Sequence, residues 1–139
     1  MVSISQSIDT YLRADSVLMG YLGGITAPTA TTGRIYSMTA MDGCTVPYVV
    51  ITLVSDTDTI EHFGKQDAGQ GRVQIDCVAA TKGTAIAIEQ RIRTLLRYNR
   101  GTLGGLSIWT IEPAGRREAY HSDTSRYVYS ADYICHVEY

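Results

Sequence analysis

The chain is poor in the residues that carry chemistry. Its three cysteines, Cys44, Cys77 and Cys135, form no CxxC pair and are odd in number. That excludes a disulfide scaffold or a zinc ribbon and reads as reduced thiols in a reducing compartment. Three histidines, His62, His121 and His136, have no His, Cys or carboxylate at metal-site spacing. Cys135 and His136 are neighbours on an expected strand and point to opposite faces, so they cannot share one ion. There is no GxSxG elbow. "YHSDTS", Tyr120 to Ser125, gathers His121, Asp123 and Ser125, but a triad is made by geometry and not by adjacency. It reads as a polar turn; a small hydrolase or ligand-binding α+β domain using these residues is the competing reading.

Charge of one sign is also missing. Twelve basic residues against 14 acidic ones leave a net charge of −2. Tight nucleic-acid binding needs a positive field, so a nucleic-acid module acting through Arg93, Arg97 and Arg100 is the weakest reading. No apolar run approaches the ~18 residues of a membrane span. "MVSISQSIDTYLRADS" lacks the basic-then-apolar order of a signal peptide, so a soluble protein kept in the cytoplasm is expected. With 45% hydrophobic and 19% charged residues over 139 positions, one globular domain is expected.

What is present is pattern. Ile4, Ile8, Tyr11 and Leu12 recur at helical spacing, Val17 and Leu18 extending that face toward the stop "GYLGG". "ITAPTATT" is a loop. "GRIY" gives a short strand, and Pro47 opens Tyr48–Val54, apolar on both faces but for Thr52, hence a central strand. "GRVQIDCVAA" alternates and should pair with it. The intervening Ser55–Gln70 segment reads as a long loop, a length at which loops are functional or disordered. Thr84 to Tyr98 is a helix: Ala85, Ile88, Ile92, Leu95 and Leu96 make its apolar stripe. Glu89, Arg93, Arg97 and Arg100 take the other side. "GTLGG" reads as a helix stop, not a phosphate cradle. Leu106–Ile111, broken by Pro113 and Gly115, is a strand. "RYVYSADYICHVEY" closes the chain as an alternating strand. The fold class is α+β, a mostly antiparallel sheet with two helices packed on it in a single domain.

Ten tyrosines stand against one Phe and one Trp, five of them from Tyr120 onward. Tyrosine suits surfaces dry on one side and polar on the other. Tyr129 and Tyr133 fit sheet filling or an interface equally; Tyr139 favours an interface. The arginine row is a solvated helix face, or else pairs with an acidic patch on a neighbouring copy.

The succession "GRIY", "PYVVI", an alternating strand, an "A..I..RI..LL" helix, a "GL.I" strand and a tyrosine-rich last strand resembles the tail-terminator (tail-completion) family of tailed bacteriophages. The likeness runs from about Ile4 to Tyr139 and rests on order and pattern, not on a chemical motif. It implies a structural virion protein with no enzymatic role and no cofactor. Copies would form a homohexameric ring capping the head-proximal end of the tail tube, stopping tube growth and meeting the head connector. DNA would pass through the lumen without specific binding. Another neck or connector component is the alternative within the same class. On this reading the Ser55–Gln70 segment contacts the tail tube, with Ile60 and Phe63 as anchors and Asp56, Asp58 and Glu61 as rim. Tyr127, Tyr129, Tyr139, Arg93 and Arg97 lie between subunits. The protein would then reside in the virion tail, after assembly in the host cytoplasm.

Overall fold

The computed structural model describes residues 3–22, 35–37, 47–60 and 66–138. Helix α1 (Ile4–Arg13) opens with a reciprocal cap: the Gln6 amide donates to Ser3 Oγ, and the Ser3 amide donates to Gln6 Oε1. Two otherwise orphaned N–H groups are satisfied there. The single N-terminal helix expected from periodicity is in fact two. Asp15 accepts the Leu18 amide at 2.8 Å and so starts α2 (Ser16–Tyr21). A carboxylate that competes for a backbone amide favours a cap over a continuous helix.

Among the described residues six strands form one sheet in the order β1-β2-β3-β6-β5-β4. They are β1 (Ile35–Ser37), β2 (Tyr48–Ile60), β3 (Gln66–Ala79), β4 (Gly101–Leu103), β5 (Leu106–His121) and β6 (Arg126–Glu138). Helix α3 (Lys82–Leu96) joins β3 to β4. Among the described residues only the β1–β2 pair is parallel, so the α+β, mostly antiparallel reading stands, with three helical segments described instead of two.

Three expectations change. The Ser55–Gln70 segment is mostly strand: β2 and β3 stay paired to Ile60↔Gln66, with register shifts at Leu53/Ser55 and Thr59/Ile60. Its Thr57 and Thr59 suit a ladder, and pairing satisfies backbone groups that a loop would leave to water. Pro113 and Gly115 do not end β5; the strand absorbs them in a bulge and continues to His121. "GTLGG" is strand β4 followed by a two-residue turn into β5, with Gly104 at φ +53° and Gly105 at φ +88°.

The helices share one face. Ile88, Ile92 and Leu96 of α3 and Ile4, Ile8 and Leu12 of α1 pack with Val49, Ile51, Val73, Ile75, Cys77, Ile111, Ala131, Tyr133, Cys135 and Val137. Burying each large apolar side chain stabilises by about 1.5–3 kcal/mol, which fixes the strand register against a one-residue slip. Helix α1 crosses this face from one border to the other. A Cβ on Gly71 of β3 would strike Ile4, and one on Gly104 would lie 2.5 Å from the Ser7 carbonyl oxygen. The Ser7 hydroxyl donates to the Leu103 carbonyl of β4.

Glu89 departs from its expected solvent position: it is 1% exposed and faces the sheet. Arg116 of β5 reaches over it, Nη1 to Oε2 at 3.5 Å. The opposite sheet face carries a second apolar cluster, Tyr48, Val50 and Val78 with Tyr36 and Val128. β2 is therefore covered on both faces at its start, as its apolar run implies, whereas Val54 at the bulge is 53% exposed.

Candidate assembly surfaces

The described residues offer surfaces in place of a reaction centre. His121, Asp123 and Ser125 all lie exposed at the turn between β5 and β6. Asp123 Oδ1 accepts the Thr124 amide at 3.0 Å, and Ser125 takes φ 54° to close the turn. Burial pushes the Cys77 thiol far up, with the Glu89 and Asp76 charges adding to it, and burial pushes Cys135 up to about 12. Such thiols are inert at neutral pH. Burial first, then the Glu89 charge, raises the Tyr133 hydroxyl as well, in a pocket where its oxygen has no hydrogen-bond partner.

The first surface is the border of β5. Strand β4 covers only Leu106–Ile108, and the Tyr98 amide donates to the Ile111 carbonyl at 2.8 Å. From Glu112 to His121, β5 pairs with β6 alone, and its other border meets no strand among the described residues. Charges cross this stretch in alternating directions. Arg116 pairs with Glu89 and Glu118 with Lys82 at 3.2 Å, both toward α3. Arg117 turns the other way, to Asp132 at 3.6 Å, which Arg72 also meets at 2.9 Å. A proline, a bulge and such charges are how an exposed border avoids indiscriminate pairing.

The second surface is a groove of about 240 Å³ between the start of α3 and the far end of the β5–β6 hairpin. Lys82, Ala85, Glu118, Tyr120, Tyr127 and Tyr129 line it. The Tyr120 and Tyr127 rings lie 4.6 Å apart. Two of the expected interface tyrosines, Tyr127 and Tyr129, thus meet here, half-buried.

The third lies at the other end of α3. Arg97 stacks its guanidinium 5.0 Å from the Tyr98 ring, and Tyr98 is 60% exposed in a left-handed conformation at φ 54°. Arg100 is exposed beside them, and Trp109, 65% exposed, sits in the β5 bulge between Ile108 and Thr110. The expected interface therefore divides: its tyrosines stand at one end of α3 and Arg97 at the other, a helix of 15 residues apart. Arg93 is half-buried instead, its charge felt by the Tyr133 hydroxyl. Tyr139 lies outside the described residues.

Of the expected tube-contact residues, Asp56, Asp58 and Ile60 belong to β2, opposite Gly71, Gly69 and Gln66. Glu61 and Phe63 lie outside the described residues. Tyr98 and Trp109 escaped the sequence reading. The available signal was a lone Trp in an otherwise alternating strand, near a helix end rich in arginine.

Two solved structures share the fold. One is a chain described as "Virion of native gene transfer agent (GTA) particle", with TM-score 0.72 and 15% identity, covering 99% of this chain and 96% of its own. The other has TM-score 0.57 and 12% identity, covering 99% and 98%. No curated protein matches. The model of the family described as "Tail completion protein gp17" matches residues 6–138. That span is nearly the whole chain, from the first turn of α1 to the last residue of β6, and the family is structural, not enzymatic. This chain belongs to the tail completion protein gp17 family.

Proposed function

We propose that the chain is a tail terminator: copies close into a ring, a hexamer as the family resemblance implies, on the head-proximal end of the tail tube. There the ring stops tube polymerisation and presents its other face to the head connector, with DNA passing through the middle. The observation that carries the ring is the unlikeness of the two sheet borders. One ends in the three-residue parallel strand β1, the other in the bare length of β5 from Glu112 to His121. Unlike borders favour head-to-tail contacts, which close into rings, over the self-matching contact of a two-fold dimer. A border with free backbone groups can also accept a strand from a neighbour. A net charge of −2 suits a lumen through which DNA slides. A fold-mate from a virion supports placing this chain in a tailed particle.

Contact with the tube is assigned to the β2–β3 hairpin, with Ile60 and Phe63 as apolar anchors and Asp56, Asp58 and Glu61 at the rim. The test is electron microscopy of particles assembled without this protein. Tubes of uncontrolled length are expected. Tubes of normal length that fail to join heads would overturn the terminator reading in favour of a neck component.

A further inference from the structure

The strand register settles which backbone groups of the bare length of β5 point outward. The Ile111 carbonyl accepts the Tyr98 amide and so faces away from β6. Its β6 partner, Cys135, therefore makes no hydrogen bonds to β5, and by alternation Asp132, Ser130 and Val128 do. Those three stand opposite Gly115, Arg117 and Ala119, beyond the bulge. Arg116, Glu118 and Tyr120 are left with amide and carbonyl turned outward. No strand meets them among the described residues, and residues 114–125 are all exposed.

Helix α3 packs over β3 and β6, one strand back from this border. Arg116 and Glu118 lean toward the helix, to Glu89 and Lys82, and Tyr120 joins the groove at its start. The outward backbone groups stay clear of them.

The charges along this border fit a second β5 running the other way. In an antiparallel pair, outward residues of the two strands face each other. Placing Arg116 opposite Glu118 of a second copy also places Glu118 opposite Arg116 of that copy, by two-fold symmetry. On the helix side a row of alternating sign then crosses the contact: Glu89 and Arg116, followed by Glu118 and Lys82 of the second copy. Opposite charges facing across strands stabilise, and like charges oppose. A shift of two residues either way sets Arg116 against Arg116 or Glu118 against Glu118. On the other face the two Arg117 side chains meet at the axis, but each is 56% exposed and drawn back to its own Asp132. The charges that discourage indiscriminate pairing thus select one register.

We infer that residues 116–120 of β5 pair antiparallel with the same residues of a second copy, making a two-fold dimer of the free protein. A two-fold contact uses the same patch on both copies and does not propagate. The dimer occupies the border that the ring reading offers to a neighbouring copy, so copies away from a tube are kept from closing on one another. Ring assembly has to open this dimer first. The inference stands on the geometry of β5 and not on the ring.

Sedimentation velocity of the free protein over a concentration series tests it. A monomer–dimer equilibrium is expected for the wild type. Glu118→Pro removes one outward amide, at a position equivalent to that of Pro113 on the same border, so the fold is kept. Its dimer is expected to weaken at least about tenfold. A charge exchange tests the register. One variant carries Glu118→Lys; the other carries Arg116→Glu with Glu89→Met, so that the new carboxylate meets no buried one. Each alone sets like charges across both pairs and should dimerise at least about tenfold more weakly than the wild type. Mixed one to one they should recover, since both pairs of the mixed dimer are then of opposite sign. Circular dichroism confirms folding, and the charge exchange decides the matter if Glu118→Pro does not fold. A wild type that is monomeric at every concentration, or that closes rings unaided, overturns the inference. So does a dimer that no variant weakens, or a mixture that stays apart. Adding tail-tube protein separates this from the ring: a dimer that persists there overturns the ring reading and leaves the inference standing.

Discussion

Glu89 is the residue most at odds with its surroundings. Among the described residues its buried Oε1 has no hydrogen-bond partner, and its ion-pair partner Arg116 approaches from a strand border with 41% of its side chain exposed. Removing one member of a buried pair leaves the other charge stranded, whereas replacing the buried acid by an apolar residue does not. Arg116→Met is therefore expected to lower stability by about 1–3 kcal/mol, less than a fully buried pair because solvent screens the arginine. Glu89→Met should stay within about 1 kcal/mol of the wild type or exceed it. Urea midpoints at constant slope decide the matter, and the reverse order would refute the account. Periodicity could not have found Glu89. It borders the Ile88–Ile92 stripe, and only the approach of β5 turns that border into interior.

At the scale of elements, Asp15 does two jobs. It caps α2 through the Leu18 amide and receives the Arg91 guanidinium, with Nε to Oδ2 at 2.9 Å, tying the N-terminal helices to α3. The Arg91 hydrogen bond is the main cause that holds its carboxyl below the ordinary 3.8, with burial opposing. A depressed folded-state value gives stability that is present above the unfolded value and is lost as pH falls through the folded one. Thermal melts from pH 6 to pH 2 should therefore show a steeper loss below about pH 4 for the wild type than for Arg91→Met. Equal slopes would rule out this linkage. The elements themselves were legible where the period was clean. The Ile88–Ile92–Leu96 stripe, the alternation of β3 and β6, and the apolar start of β2 all lie where their patterns place them. Legibility failed where polar residues run in strands. Ser55–Ile60 and Gln66–Gln70 carry no apolar alternation, so only the ladder to the neighbouring strand makes them β. Pro113 misled for a similar reason: on a bare border a missing N–H costs nothing, and a bulge takes up the irregularity.

For the whole molecule, the β5 border offered to a neighbouring copy carries Arg116, Arg117 and Glu118, so the proposed ring contact should respond to salt. Raising the salt from about 0.1 M to about 1 M shortens the screening length from about 10 to about 3 Å. Self-association is expected to weaken on the order of tenfold over that range. An association that strengthens instead would point to an apolar contact, such as the tyrosine groove at the start of α3. The candidate surfaces were only partly legible. Tyr127, Tyr129 and Arg97 were named from composition, but their separation to opposite ends of α3 depends on how the β5–β6 hairpin folds back over the helix.

By itself the sequence determined the α+β class, the pairing of the apolar part of β2 with the alternating part of β3, and the apolar stripe of α3. Hydrophobic burial acts through local periodicity, and periodicity is written along the chain. Tertiary structure alone decided which strands border the sheet and which ion pairs cross it. Those outcomes depend on contacts between residues far apart in sequence, whose partners no local pattern names.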